Sequence, residues 1–87
     1  MRLIFSENAW EDYTSWQKDD KMILKKINKL IKEIQRSPYE GTGKPEPLKF
    51  DLAGLCSRRI NREHRIVYSI DGDDLLIYAC RYYYDKK

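Results

Sequence analysis

Apolar and polar positions recur with two different periods along this chain, and the change of period divides it. Between residues 21 and 36 (KMILKKINKLIKEIQR) Ile23, Ile27, Leu30, Ile31 and Ile34 follow the three- and four-residue spacing that lines one face of a helix, with Lys25, Lys29 and Lys32 towards the other side. Ser37-Pro38 ends this helix, because the residue before a proline is driven out of helical geometry. Ahead of it, Ala9, Trp10, Tyr13 and Trp16 form the stripe of a first helix running to about Lys18, with Ser6 as N-cap and Glu7 favoured in the first turn. Asp19 and Asp20 supply the cap of the second helix. A connection of a couple of residues predicts an antiparallel helical hairpin packed on a sheet. Residues 2–5 (RLIF) predict a short first strand.

From Leu55 the period drops to two. Cys56–Ile60, Arg65–Ile70 and Leu75–Tyr82 predict three strands, joined by turns at Asn61–His64 and Asp71–Asp74, the second carrying an Asp-Gly pair. The strands therefore run as an antiparallel meander. Pairing Ile70 with Leu75 in an unbroken ladder sets Arg65 opposite Cys80, on a face with the even-numbered residues of the last strand. Bringing residue 83 to that face requires a bulge or a departure from the sheet after Tyr82. Between the halves, residues 37–54 hold all three prolines and three of the four glycines, a loop with one short extended piece around Leu48–Phe50. Its length for so small a domain marks it as a functional loop.

The 87 residues predict one domain, residues 1–87. A chain of this length buries about 60–65% of its unfolded surface, so its core is modest. No apolar run approaches the ~18 residues of a membrane helix, and the N-terminus lacks a cleavable leader pattern, so a cytoplasmic protein is expected. Two cysteines, Cys56 and Cys80, are too few for a disulfide framework, and two Cys with one distant His do not make a four-ligand zinc site; they read as small strand hydrophobes. No cofactor or metal is expected. Net charge is +3, unevenly spread: residues 21–36 carry six bases and one acid, and residues 55–66 four arginines and one acid. Such blocks attract a polyanion or an acidic partner, and they are equally what a solvated helix face and strand surface look like.

No Gly-rich phosphate loop, H-E-x-x-H or G-x-S-x-G occurs, and the single histidine, His64, reads as a turn residue. What remains is Glu46 between two prolines in KPEPLK, flanked by Lys44 and Lys49. The prolines stiffen the segment that carries it. Arg58 and Arg59 are adjacent on a strand, so one of them faces away from the core, and Arg65 opens the next strand. Two readings stand: a surface salt-bridge network, or a carboxylate base set among phosphate-binding cations.

The stretches SENAWEDYTSWQ, KKINKLIKEIQRSPYEGTGKPEPLK, SRRI followed by EHR and VY, and the closing RY and Tyr84 together resemble a YoeB-type toxin of the RelE/ParE toxin–antitoxin superfamily, almost end to end. The resemblance implies an α+β fold, a two-helix hairpin on a mainly antiparallel four- to five-stranded sheet. It implies a ribosome-dependent, metal-independent endoribonuclease that cuts mRNA in the ribosomal A site, is silenced by a cognate YefM-like antitoxin, and forms a homodimer. By the same resemblance Glu46 is the general base, Arg65 a catalytic cation, and Arg59 and Lys49 contact phosphate and support the cut; Lys44, beside Glu46, and Tyr84, stacking on a base or shaping the pocket, are further expected substrate contacts. Such toxins carry a histidine acid between the last two aromatics, where this chain has Tyr83. Tyrosine, with an ordinary pKa of about 10 against ~6.5 for histidine, is protonated at neutral pH but a weaker acid. Tyr83 is therefore the expected donor, and a non-catalytic or weakly catalytic inhibitor of the same fold is the alternative.

Overall fold

In the computed structural model, which describes residues 1–82, the elements run β1 (Arg2–Phe5), α1 (Glu7–Asp19), α2 (Lys21–Arg36), β2 (Glu46–Pro47), a 3₁₀ turn (Phe50–Leu52), β3 (Cys56–Arg59), β4 (Arg65–Asp71) and β5 (Asp74–Ala79). Both helix starts follow from their caps. The Ser6 side chain accepts the Ala9 N–H, and the Asp20 side chain accepts the N–H groups of Met22 and Ile23. Asp20 thereby closes one helix and opens the next, which is why the hairpin connection is so short.

The five strands form one mixed sheet in the order β1-β5-β4-β3-β2. The meander β3-β4-β5 and the β2–β3 pair are antiparallel, whereas β1 lies parallel to β5. The connection between these parallel neighbours includes both helices, which cover one face. Ile27, Leu30, Ile31 and Ile34 of α2 and Ala9 and Trp16 of α1 meet Ile60, Ile66, Tyr68, Leu75, Ile77 and Cys80 in the core. Trp10, expected within the α1 stripe, stays on the rim, 53% exposed, stacked on Tyr13 and edge-on to Phe5. Neither cysteine is in a disulfide; burial pushes the Cys80 thiol up to about 12, so it acts as a small hydrophobe. Among the described residues no helix is long and apolar enough to cross a membrane.

Three expectations are corrected. The extended piece of the long loop is Glu46–Pro47, paired with β3, and Phe50 belongs to the 3₁₀ turn instead. The last strand ends at Ala79, three residues before Tyr82. The register does begin with Ile70 opposite Leu75, but it shifts between Tyr68 and Val67, so that Tyr68 faces Ile77 and Val67 faces Ala79. Tyr78 is the extra residue of a bulge. Its carbonyl is taken up by the Ser6 hydroxyl (3.2 Å) and the Asn8 amide (3.1 Å) at the start of α1. The bulge thus replaces the unbroken ladder that set Arg65 opposite Cys80, and Arg65 N–H instead donates to the Tyr82 carbonyl at 3.3 Å.

Candidate active site

The face of the sheet turned away from the helices carries the chemistry. Successive strand residues point to opposite faces, so with Arg58, Ile60, Ile66 and Tyr68 committed to the helix side, Ser57, Arg59, Arg65 and Val67 share the other. Glu46 stands opposite Ser57, and Arg59 opposite Arg65. Arg65 is 6% exposed. Its Nε–H donates to Ser57 Oγ at 3.0 Å, and an Nη2–H donates to Glu46 Oε1 at 3.1 Å. The Glu46 side chain stays 64% exposed. A fixed guanidinium thus holds a carboxylate that still reaches solvent. Arg59, exposed on the facing strand, adds a like charge directly across from Arg65, a pairing that disfavours the empty sheet and favours an anion between the two.

Arg58 explains why the Glu46 loop stays in place. It is completely buried, and its guanidinium donates to the carbonyls of Ser37, Glu40 (2.7 Å) and Thr42 (3.3 Å) and to Tyr68 Oη (3.3 Å), with Glu33 Oε1 at 3.6 Å. Tyr68 Oη in turn donates to the Pro38 carbonyl at 2.6 Å. Thr42 N–H donates to Glu33 at 3.2 Å, which with Arg58 nearby holds that carboxyl below its ordinary range. Gly43 closes the clamp: its carbonyl accepts Arg59 N–H at 2.7 Å, and its φ of +87° brings its backbone so close that an added Cβ would lie 2.8 Å from Arg59 O. Gly43→Ala is therefore expected to lower stability by about 1–3 kcal/mol through strain and displacement, read as a lower urea midpoint at unchanged slope. An unmoved midpoint contradicts this account of the loop.

A model of the "YoeB-like toxin of bacterial type II toxin-antitoxin system" matches residues 5–84. The chain belongs to the YoeB-like toxin family. It is 61% identical over 84 residues to Toxin YoeB of Escherichia coli strain K12, covering 97% of this chain and 100% of that protein. Its fold matches the YoeB/ParE toxin from Agrobacterium tumefaciens with a TM-score of 0.94 at 46% identity, over 97% of this chain and 100% of that one. YoeB of Staphylococcus aureus, solved as a dimer and in a heterotetrameric YoeB–YefM complex, matches with TM-scores of 0.90 and 0.89 at 49% identity, over 97% of this chain and 98% of that one.

Of the residues expected in the YoeB-like site, Glu46, Arg59 and Arg65 come together on one sheet face. Lys44 and Lys49 flank Glu46 on exposed loop positions, Lys44 in the left-handed region at φ 52° and Lys49 capping the 3₁₀ turn. Tyr83 and Tyr84 lie outside the described residues. Two further residues lie next to Arg65, Ser57 by a hydrogen bond and His64 in sequence. Ser57 orients Arg65, and its only sequence signal is strand parity. His64, expected as a turn residue, does lie at the end of the 61–64 turn but is buried, 5% exposed. Beneath the β2 edge, Tyr39, Pro45, Pro47 and Cys56 line a small cavity of about 190 Å³ that Glu46 also borders.

Proposed function

We propose that this YoeB-like toxin is a ribosome-dependent endoribonuclease that cuts mRNA in the A site. The observation that carries the reading is the Arg65–Glu46 hydrogen bond on a face shared with Arg59, in a chain of the YoeB-like family. The chemistry such an arrangement supports is internal transesterification. The substrate 2′-oxygen attacks the adjacent phosphorus while Glu46 takes its proton, and the bond to the 5′-oxygen breaks as that oxygen receives a proton from Tyr83. The products are a 2′,3′-cyclic phosphate and a 5′-hydroxyl. Arg65 and Arg59 stabilise the charge that builds on the phosphorane oxygens. Lys49, Lys44 and Tyr84 bind the flanking RNA, the lysines by charge and the tyrosine by stacking. The attack requires a 2′-hydroxyl, so DNA is inert. The lysine face of α2 grips ribosomal RNA, the site of action is the cytoplasm, and a YefM-like antitoxin silences a homodimeric toxin, as the S. aureus assemblies suggest.

Ribosomes programmed with a defined mRNA test this. Wild-type protein is expected to cut within the A-site codon, and Glu46→Ala to reduce cutting by about 10²–10⁴-fold, the range of general-base catalysis. Undiminished cutting by Tyr83→Phe removes Tyr83 as donor and leaves the nuclease standing. Absence of cutting by wild type, with translation still blocked, favours the non-catalytic inhibitor.

A further inference from the structure

His64 has no part in the chemistry above, yet its buried side chain is engaged on several sides. Its ring packs edge-on against Trp16 of α1 at 4.8 Å and tilted against Tyr82 at 5.0 Å. Nδ1 accepts the Tyr82 N–H at 2.7 Å. Among the described residues Tyr82 is one of three non-glycine residues with positive φ, at 62°, a conformation unfavourable to an L side chain unless something holds it. Both of its backbone polar groups are held, the N–H by His64 and the carbonyl by the N–H of Arg65. Just upstream, Cys80 N–H donates to Asp12 (3.0 Å), Trp16 Nε1–H donates to the Cys80 carbonyl (2.9 Å), and Arg81 lies over the Trp16 ring at 4.1 Å while bonding Asp19 (2.9 Å). The chain leaving β5 is thus fastened to α1 and to the segment that begins β4.

We infer that His64 is a positioning residue: by accepting the Tyr82 N–H at Nδ1 it fixes the left-handed conformation that holds Tyr82 against the Arg65 backbone. The inference rests on the nuclease reading, in which the next residue, Tyr83, is the proton donor. An imidazole that accepts at Nδ1 carries its proton on Nε2, and only the uncharged form can do so. The charged groups around it are Glu63, whose carboxylate lies 3.6 Å from Nε2, Asp12 from α1 and Arg81 beyond β5. Burial outweighs the carboxylates and lowers the His64 pKa below its ordinary value. The sign follows. The unfolded chain binds the extra proton first, so the clamp is fully present above about pH 6.5 and is lost as pH falls through the lower folded-state value.

The test joins nuclear magnetic resonance on the whole protein to cleavage of programmed mRNA. In the wild type the Tyr82 amide resonance is expected to titrate with the His64 ring. His64→Asn supplies an acceptor oxygen near the Nδ1 position. It is expected to keep the amide shift, cut within about threefold of wild type, and lose the acid limb that His64 contributes. His64→Leu keeps the apolar packing without the acceptor. It is expected to move the Tyr82 amide and, while folded, to cut about 30- to 100-fold more slowly through kcat with little change in KM. Folded His64→Leu cutting at the wild-type rate overturns the inference, as does a Tyr82 amide indifferent to His64 ionisation. If the wild type does not cut but the amide follows His64, the nuclease reading fails and the clamp survives. If Glu46→Ala is inactive while His64→Leu is not, the reverse holds.

Discussion

Arg58→Met is expected to destabilise the protein by about 3–5 kcal/mol, the cost of removing one member of a buried, charge-assisted network. The substitution keeps much of the side-chain volume and can pack beneath the loop, so a cavity is not the cause. What is lost is the donor set. The carbonyls of Ser37, Glu40 and Thr42 turn inward to one guanidinium, and among the described residues no buried side-chain nitrogen or oxygen lacks a partner. Without Arg58 those carbonyls must find water or swing out, and Glu33 loses the cation beside it. Arg58→Lys restores the charge but offers a point donor where a planar fork is needed, so it is expected to recover less than half of the loss. Urea denaturation of the three proteins reads this directly. Because the same loop leads through Gly43 to Glu46, cleavage should fall in step with loop order. A midpoint for Arg58→Met within about 0.5 kcal/mol of wild type, an ordinary surface effect, removes the clamp from the account.

Much of the architecture is legible in the residues because its signals are local. Ser6 and Asp20 announce helix starts, the isoleucines of α2 repeat with the helical period, and Asp71-Gly72 marks the tight turn between β4 and β5. The features that escaped are non-local or too short to repeat. Two residues, Glu46 and Pro47, cannot display a strand period, and the parallel pairing of β1 with β5 joins chain segments some seventy residues apart. The bulge at Tyr78 is hidden because LLIYAC is apolar at every position, so no alternation reports which residue is extra. Arg58 and Arg59 are identical in type; which one faces inward is decided by carbonyls of a loop, and carbonyls carry no sequence label. For the same reason the candidate carboxylate and cations were legible from the resemblance and from residue type, whereas Ser57 and His64 were not. Their partners are the Arg65 side chain and the Tyr82 backbone, brought together only by the register of the sheet.

Arg65→Ala is expected to reduce cleavage of ribosome-bound mRNA by about 10²–10³-fold, the usual consequence of removing one preorganised donor from a developing oxyanion. The effect should be catalytic and not a matter of folding. Glu46 is largely exposed and can be solvated once its partner is gone, and Ser57 loses one charge-assisted hydrogen bond, typically worth about 1.5–3 kcal/mol, less than the ~5–15 kcal/mol that keeps a domain folded. Arg65→Lys separates charge from geometry. A lysine ammonium can approach the phosphate, but it cannot donate to Ser57 and Glu46 at once in the directions that the guanidinium uses at 3.0 and 3.1 Å. Retained binding with a rate lowered by about tenfold or more is therefore expected, and Ser57→Ala should show a smaller loss of the same kind, since it frees the guanidinium without removing it. Single-turnover cutting at saturating protein isolates the chemical step for each variant. If Arg65→Lys cuts as fast as wild type, a nearby positive charge is sufficient and the Ser57–Arg65–Glu46 geometry has no catalytic role. If Arg65→Ala does, the cation is dispensable, and Arg59 on the facing strand becomes the group that must carry the phosphorane charge.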